Sequence, residues 1–512
     1  MTVIVAGGGI TGLAAARALG RAGVPTVLVE PSPRLGGKVG TDVVDGYVVE
    51  RGPDSFITTR PAGLALAREL GLGDELVGVR EPRTVYIMRD GRLVPMPEGL
   101  GLVLPTRAWP FVRSRLFSWP EKARMGLDLV LPRLAPAEDE AVGLFLRRRL
   151  GTALVDRLAG PLVGGIYGTD IDQLSLDAVV PQLREAEARH RSLLLAGLSD
   201  GRAMRKARAA REAAARQAGG RSDVSSGGPR PLGIFASLAR GMGSLVDALE
   251  AGLRADRAVT VRTGVSLRSL EPLGAGLVAR LSDGSTVRAD AVVLATPGPA
   301  AASLVEPFAP AAARAIATVP HGSSTVVSLA YRRDRLERPL VGHGVLVPPS
   351  ERLAISACTW SSEKWPGRSP DEAVLVRAFL PEVGPGLDDA ELVAMARAAA
   401  EPTIRAHGEP ELVRVSRAEA SMPRYTVGHI QRVARAEADL ASVPAVVLAG
   451  AAYRGVGLPD CIAQGTNAAA RRGSRPSRRP SRPGHGPSPP RARGHAPPGL
   501  EPPRTCPRAV RR

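Results

Sequence analysis

Six residues near the start, Gly7-Gly8-Gly9-Ile10-Thr11-Gly12, restrict this chain more than any other feature. They supply G-x-G-x-x-G between a short apolar run, 2–6, and a small-residue segment, 13–22, that reads as a helix ended by Gly23. Thr26–Glu30 follows as a β-branched strand. Strand, helix and strand within about thirty residues is the repeating unit of a parallel sheet. Each glycine meets a physical demand. The first makes a tight turn, the second lets a pyrophosphate approach bare backbone, and the third lets helix pack closely on strand. The free N–H groups and positive dipole end of the helix then face the phosphates. A merely structural glycine turn is the alternative. The strand before, the helix after and the carboxylate of Glu30 ending the next strand favour a dinucleotide.

Glu30 can accept hydrogen bonds from an adenosine ribose, and it disfavours a 2′-phosphate, hence NADP. Arg34-Leu35-Gly36-Gly37-Lys38 comes soon after. A second glycine pair with two cations suits a loop wrapping a longer bound dinucleotide, so bound FAD is favoured over exchangeable NAD; a surface turn is the alternative.

The chain has 512 residues, room for two or three domains, and 44% hydrophobic residues, enough for a real core. Its net charge of +18 suggests nucleic acid at first sight. From residue 471 onward, however, twelve Arg and a single acid, Glu501, carry +11 of that charge. The remaining body is moderately basic, which suits an acidic small molecule or an anionic membrane surface rather than specific nucleic-acid binding. Cys358, Cys461 and Cys506 show no C-x-x-C spacing, so no metal site is expected and a reducing cytoplasm fits. No apolar run reaches the roughly 18 residues of a membrane span. Residues 1–22 lack a basic leader and do not read as a signal peptide.

Residues 61–72 read as a helix with Pro61 at its start, 83–97 as a hairpin turning at Asp90-Gly91, and 120–158 as several helices. Residues 202–217 read as a solvated helix and 219–228 as a flexible loop. Helix returns at 241–253. Strands are expected at 259–270, 277–281, 286–295, 323–331, 345–347, 373–380 and 446–450. The Pro/Arg-rich segment 471–512 has too little apolar content to offset ordering entropy, so disorder is predicted.

Several blocks carry a family resemblance. The G-x-G-x-x-G, Glu30 and Leu35-Gly36-Gly37-Lys38 resemble the FAD-binding start of the amine oxidase and protoporphyrinogen oxidase superfamily. Gly52-Pro53-Asp54-Ser55-Phe56 is similar to the G-P-D-S-F signature of bacterial coproporphyrinogen III and protoporphyrinogen IX oxidases. Gly165-Ile166-Tyr167-Gly168-Thr169-Asp170 with Leu174-Ser175-Leu176 resembles their G-I-Y-x-x-D…L-S-L stretch. Lys364-Trp365-Pro366, Tyr425-Thr426-Val427-Gly428-His429 and Gly455-Val456-Gly457-Leu458-Pro459-Asp460-Cys461 resemble later blocks in the same order. The resemblance spans residues 2–470. The Arg- and Ala-rich style fits a high-GC bacterium, where the expected member is a coproporphyrinogen III oxidase. Two features depart from the pattern. Gly450 is followed by Ala451-Ala452 where amine-oxidase relatives often carry an acid, which puts one phosphate or ribityl contact in doubt. The tail beyond 471 does not resemble the family and has the look of a frameshift.

The resemblance implies an α/β fold: a discontinuous Rossmann-like FAD domain (1–80, 235–300, 430–470), a mixed-sheet substrate domain (81–99, 301–429) and a helical lobe (100–234) with a flexible basic insert near 200–230. It implies that Gly7, Gly9, Ile10, Thr11 and Gly12 hold the pyrophosphate, Glu30 the ribose, and Gly36, Gly37 and Lys38 the cofactor channel. Gly52, Pro53, Asp54 and Ser55 should pass close to the flavin, with Asp54 stabilising its loop more readily than acting as a base. Val265 should offer backbone hydrogen bonds to the adenine, and Val456, Gly457 and Leu458 should lie at the flavin end. Arg83 is the candidate partner for a substrate carboxylate; His429 is more readily structural than a base, and no catalytic residue is assigned. The implied reaction is oxidation of coproporphyrinogen III to coproporphyrin III in haem biosynthesis, by hydride transfer to flavin with proton loss from a pyrrole nitrogen. Three cycles remove six hydrogens, with dioxygen as acceptor and peroxide as product. Protoporphyrinogen IX is the alternative substrate, and an amine or carotenoid-type flavin oxidoreductase a further alternative. The expected setting is cytoplasmic, with peripheral contact at the inner face of the membrane left open.

Overall fold

Val3, Ile4, Val5 and Ala6 are almost inaccessible to solvent, as in a strand covered on both faces. In the computed structural model, which describes residues 1–101, 103–132, 138–217, 232–381, 383–384 and 386–473, they form β1 (Val3–Ala6) at the middle of a five-stranded parallel sheet. The other strands are β2 (Thr26–Glu30), β3 (Val259–Thr263), β4 (Ala291–Leu294) and β5 (Val446–Leu448), in the spatial order β3-β2-β1-β4-β5. Val3 pairs with Thr26 on one side and Ala291 on the other. Val3 and Val5 enter one hydrophobic cluster, Ile4 and Ala6 another, so alternate side chains stabilise the two faces. The chain winds to β2 and β3 on one side of β1, then returns to β4 on the other. The β1–β4 boundary is thus a topological switch point, where open α/β sheets bind ligands at the carboxyl ends of their strands.

Helix α1 (Ile10–Arg21) begins immediately after Gly9 and packs against α2 (Leu458–Gly473). Two glycines permit this crossing. A Cβ on Gly12 would overlap the Gly7 carbonyl, and one on Gly465 would overlap that of Thr11. Leu13 and Leu19 of α1 are fully buried in the cluster that holds Val3 and Val5, each contributing about 2 kcal/mol by area.

A seven-stranded sheet takes strands from Val85–Arg89, Arg92–Pro95, His321–Arg332, Gly344–Leu346, Ala357–Trp360, Ala373–Leu380 and Leu412–Pro423. A small sheet joins Phe56–Ile57 and Leu76–Gly78 to Phe235–Leu238. A third hydrophobic cluster gathers the helices between 108 and 196 with Ile87 and Tyr425. Residues Met1–Gly473 pack together as one unit.

The expected helices at 61–72 and 202–217 appear as Pro61–Glu69 and within Leu193–Gln217, and the hairpin turns at Asp90-Gly91. Two expected strands each divide. Residues 259–270 break at Gly264, φ 73°, into β3 and Leu267–Leu273. Residues 286–295 break at Asp290, whose N–H donates to Thr2 O, so Thr286–Ala289 joins an antiparallel sheet and β4 the parallel one. The loop read at 219–228 and the tail from Ser474 on lie outside the described residues. Among the described residues no helix is long and apolar enough to cross a membrane.

Candidate cofactor site

The turn after β1 is built from backbone alone. Gly7 has φ 103° and its N–H donates to Val29 O at 2.8 Å; a Cβ there would lie 2.7 Å from Ala295 O. Gly9 behaves oppositely. It takes ordinary extended backbone, φ −70° and ψ 175°, and an added Cβ would meet no protein atom within 4 Å. Gly9 is the N-cap of α1, no side chain caps that end, and no acid lies in its first turn. Its free N–H groups and positive end therefore point into open space suited to an anion. This is the cradle a dinucleotide diphosphate requires: glycines closed against protein on both sides of one that is open.

Glu30 ends β2 beside it. Its Oε2 accepts the N–H of Gly8 at 2.6 Å and its Oε1 that of Ser32 at 2.9 Å. These bonds fix the carboxylate and leave lone pairs for ribose hydroxyls. Val265 lies between strands rather than on one, and its N–H is committed to Glu30 O at 3.0 Å. A backbone donor role toward an adenine is thereby corrected; its carbonyl is the group it can offer. Gly36, φ 101°, donates to Gly8 O at 2.8 Å, and a Cβ on Gly37 would lie 3.2 Å from the Gly9 Cα. The second glycine pair thus lies along the first.

Lys38 continues this wall. Its ammonium donates to Ser421 O, and burial pulls its pKa below the usual lysine range. His321 and Cys461 lie within its electrostatic reach; the Cys461 thiol, pushed up to about 11 by burial, donates to Gly455 O and Val456 O. Leu458 opens α2, preceded by Val456 and Gly457; a Cβ on Gly450 would lie 3.8 Å from Thr11 Oγ1. Ile10, Thr11 and Gly12 are buried in the first turn of α1. The predicted residues from Gly7 to Lys38 thus come together around Gly9, and Leu458 packs in the same hydrophobic cluster as Ile10 and Leu35; Val456 packs against the helical cluster.

Gly52 packs so closely that a Cβ would overlap the Lys38 carbonyl. Beyond it, after Pro53, Asp54 is the hub of a polar knot. Its Oδ2 accepts from Lys364 Nζ at 2.9 Å and Trp365 Nε1 at 3.0 Å, and its Oδ1 from Ser55 Oγ at 2.7 Å. Burial pushes this carboxyl up, but Lys364, Arg377 and the hydrogen bonds from Lys364 and Trp365 outweigh it and hold it well below the usual carboxylate range. Asp54 is an anchored anion, not a base poised near neutrality. Arg377, 2% exposed, donates to Gly52 O at 2.6 Å; Arg368, 1% exposed, reaches Ser237 Oγ, Leu238 O and buried Glu50. Glu50, Arg368 and Arg377 were not singled out from sequence. An Arg inside the apolar strand AVLVRAFL was the available sign.

Arg83 is half-exposed and pairs with Glu81 at 2.8 Å, so its charge is shared before any substrate arrives. It stands beside Gly233, where a Cβ would lie 2.8 Å from its guanidinium. His429 is buried. Its Nε2 lies 2.9 Å from Tyr453 O, and burial, opposed by that bond, pushes its pKa down to about 4. It is a neutral structural hydrogen bonder. Among the described residues no cluster of His, Cys, Asp and Glu could hold a metal.

The sequence matches the model of the flavin containing amine oxidoreductases over residues 10–471. The chain belongs to this family. Its cofactor is FAD, for which the cradle at Gly9 fits, and it is an FAD-dependent oxidoreductase. Among similar proteins, the coproporphyrinogen III oxidase of Propionibacterium freudenreichii is 45% identical, covering 91% of this chain and 90% of its own. That of Bacillus subtilis is 35% identical over 91% and 97%. The protoporphyrinogen oxidase of Bos taurus is 34% identical over 92% and 98%. A crystal structure from Exiguobacterium sp. 255-15, of a protein assigned as a protoporphyrinogen oxidase, superposes with a TM-score of 0.78 at 32% identity, over 92% of this chain and 98% of that one. Putrescine oxidase with bound putrescine shares the fold at a TM-score of 0.63 and 16% identity.

Proposed function

We propose that this protein oxidises coproporphyrinogen III to coproporphyrin III in haem biosynthesis, with dioxygen as acceptor and hydrogen peroxide as product. The observation that carries this reading is the 45% identity to a coproporphyrinogen III oxidase across nine-tenths of both chains, joined to a cradle open only at Gly9. Bound FAD supplies the two-electron acceptor chemistry. The chain's own residues bind and orient. The turn at Gly7–Gly9 and the start of α1 take the diphosphate, Glu30 the ribose, and the Gly52–Ser55 loop, clamped by Lys364, Trp365 and Arg377, borders the flavin. Asp54 is held well below the usual carboxylate range and His429 is pushed down to about 4, so neither is a base suited to neutral pH, which agrees with a reaction whose proton loss is driven by aromatisation of the macrocycle. Arg83 offers a guanidinium to a propionate in exchange for Glu81.

The proposed FAD domain comprises 1–80, 235–300 and 430–470, from which the five strands of the parallel sheet come; the proposed substrate domain is 81–99 with 301–429, and the helical lobe 100–234. The proposed setting is the cytoplasm, with that lobe against the inner face of the membrane. Exposed Trp109 and Trp119 lie there among Arg113, Arg115 and Lys122. Competition kinetics with coproporphyrinogen III and protoporphyrinogen IX, followed by porphyrin fluorescence, test the substrate. The expected result is a higher kcat/KM for coproporphyrinogen III; a preference for protoporphyrinogen IX would transfer the assignment to the alternative substrate.

A further inference from the structure

Tyr425 is 1% exposed and sits where three parts of the molecule meet. Its hydroxyl donates to Ala451 O at 2.6 Å and accepts the N–H of Gly455 at 2.7 Å, so it closes both ends of the link between β5 and α2. Its ring stacks on His429 with centroids 3.8 Å apart. Because Tyr453 O can only accept, His429 Nε2 carries the proton and donates to it at 2.9 Å. Residues 451, 453 and 455 are thus held by two stacked rings on one side. The link also reaches the cradle, through Gly450, where a Cβ would lie 3.8 Å from Thr11 Oγ1, and through α2, whose Gly465 packs directly on the Thr11 carbonyl. Gly450 and Gly455 have φ of 128° and 106° and add no stiffness of their own; Gln464 of α2 gives the link a second, longer set of bonds, accepting the Gly450 N–H at 3.3 Å and donating to Arg454 O and Gly455 O at 3.2 and 3.4 Å.

The same segment is tied to the helical region. Tyr425 O accepts the N–H of Ser175 at 2.8 Å, Leu174 forms a β-bridge with Thr426, and Asp139 Oδ2 accepts the N–H of Gly428 at 2.7 Å.

We propose that Tyr425 and His429 are positioning residues that set the link 451–455, and with it the start of α2, against the bound flavin, and that they tie this placement to the helical region through Asp139, Leu174 and Ser175. The inference rests on the reading that FAD lies along the cradle. Without the clamp the link is held only by the longer Gln464 bonds, and the N–H groups at the start of α2 are less firmly directed, while the fold keeps its core. The effect falls on cofactor affinity and flavin environment rather than on the rest of the protein.

The test uses the full chain, stripped of FAD and titrated with it. Tyr425→Phe keeps the ring and its stack on His429 but removes the hydroxyl. Tyr331→Phe is the control; this residue of the seven-stranded sheet is as inaccessible as Tyr425, and its hydroxyl donates to Glu401 at 2.7 Å. Tyr425→Phe is expected to raise the FAD dissociation constant about ten- to hundredfold and to shift the visible flavin band and midpoint potential. Tyr331→Phe is expected to lower the melting temperature with FAD affinity and spectrum unchanged. His429→Gln, which keeps a donor toward Tyr453 O, should retain most of the affinity that His429→Leu loses. Native affinity and spectrum in Tyr425→Phe would overturn the proposal, as would equal FAD loss in both tyrosine variants. If Tyr425→Phe does not fold, the two His429 variants decide, and equal affinity between them overturns it. Failure of the native chain itself to take up FAD would overturn the cofactor reading and this one together, and is distinguished by the native chain behaving like the variants.

Discussion

Gly9→Val separates binding from folding more cleanly than any other change at the cradle. The backbone at Gly9, φ −70° and ψ 175°, is one that any residue adopts, and the new Cβ meets no protein atom within 4 Å. The cost to the fold is that of a poorer helix N-cap, about 1 kcal/mol or less. The cost to the cofactor is larger, because valine's methyl groups occupy the space from which a diphosphate would reach the first N–H groups of α1. Losing one or two charge-assisted hydrogen bonds at about 1.5–3 kcal/mol each raises the FAD dissociation constant by roughly 10- to 10⁴-fold. The neighbouring glycine gives the contrast. Gly12→Ala drives a Cβ into the Gly7 carbonyl and should prevent the native fold from forming. The assay is a melting curve of the stripped protein together with a fluorescence titration with FAD. Gly9→Val should melt like the stripped native chain and fail to gain the stabilisation that saturating ligand gives the native one. A Gly9→Val protein that binds FAD with native affinity would refute the placement of the diphosphate.

Asp54→Asn leaves Lys364 without its carboxylate in a site where both side chains are under one-fifth exposed; a loss of about 2–3 kcal/mol in urea unfolding is expected, and a change below about 0.5 kcal/mol would contradict the clamp. Arg83→Ala should raise KM for the porphyrinogen about tenfold, the weight of one charge-assisted hydrogen bond, with FAD content unchanged; an unchanged KM removes Arg83 from the site. Burial depresses His429 to about 4 in the fold, against about 6.5 when unfolded. The unfolded chain therefore binds the proton first as the pH falls. Stability from the neutral ring is complete above about pH 6.5 and lost progressively toward pH 4, by up to about 3 kcal/mol. Melting curves should show that loss in the native chain and less of it in His429→Gln; identical pH profiles would contradict it.

The sequence made the cradle legible because its demands are local. Gly7, Gly9, Gly12 and Glu30 lie within one strand–helix–strand unit, and a turn of that kind admits few solutions. The hairpin at Asp90-Gly91 was legible for the same reason. What sequence did not resolve depends on distant partners. The split of 286–295 follows from where Thr2 and Asp290 meet, and the break at Gly264 redirects Val265 so that its N–H turns to Glu30. The buried Arg368 and Arg377 resemble any other arginine in a chain rich in them until the fold removes water from around them. The partners of Asp54 lie about three hundred residues away, so its loop could be named while the source of its charge balance could not. Arg83 was found as a candidate, but its pairing with Glu81 is a fact of geometry alone.

If the proposed function holds, flavin bound in this chain takes electrons from a porphyrinogen. Anaerobic mixing of the FAD-loaded protein with coproporphyrinogen III, followed by the flavin's visible absorbance, measures that directly. Bleaching of the flavin band with appearance of coproporphyrin fluorescence is the expected result. A band that persists with coproporphyrinogen III and protoporphyrinogen IX, yet bleaches with an amine, would contradict the proposed substrate class.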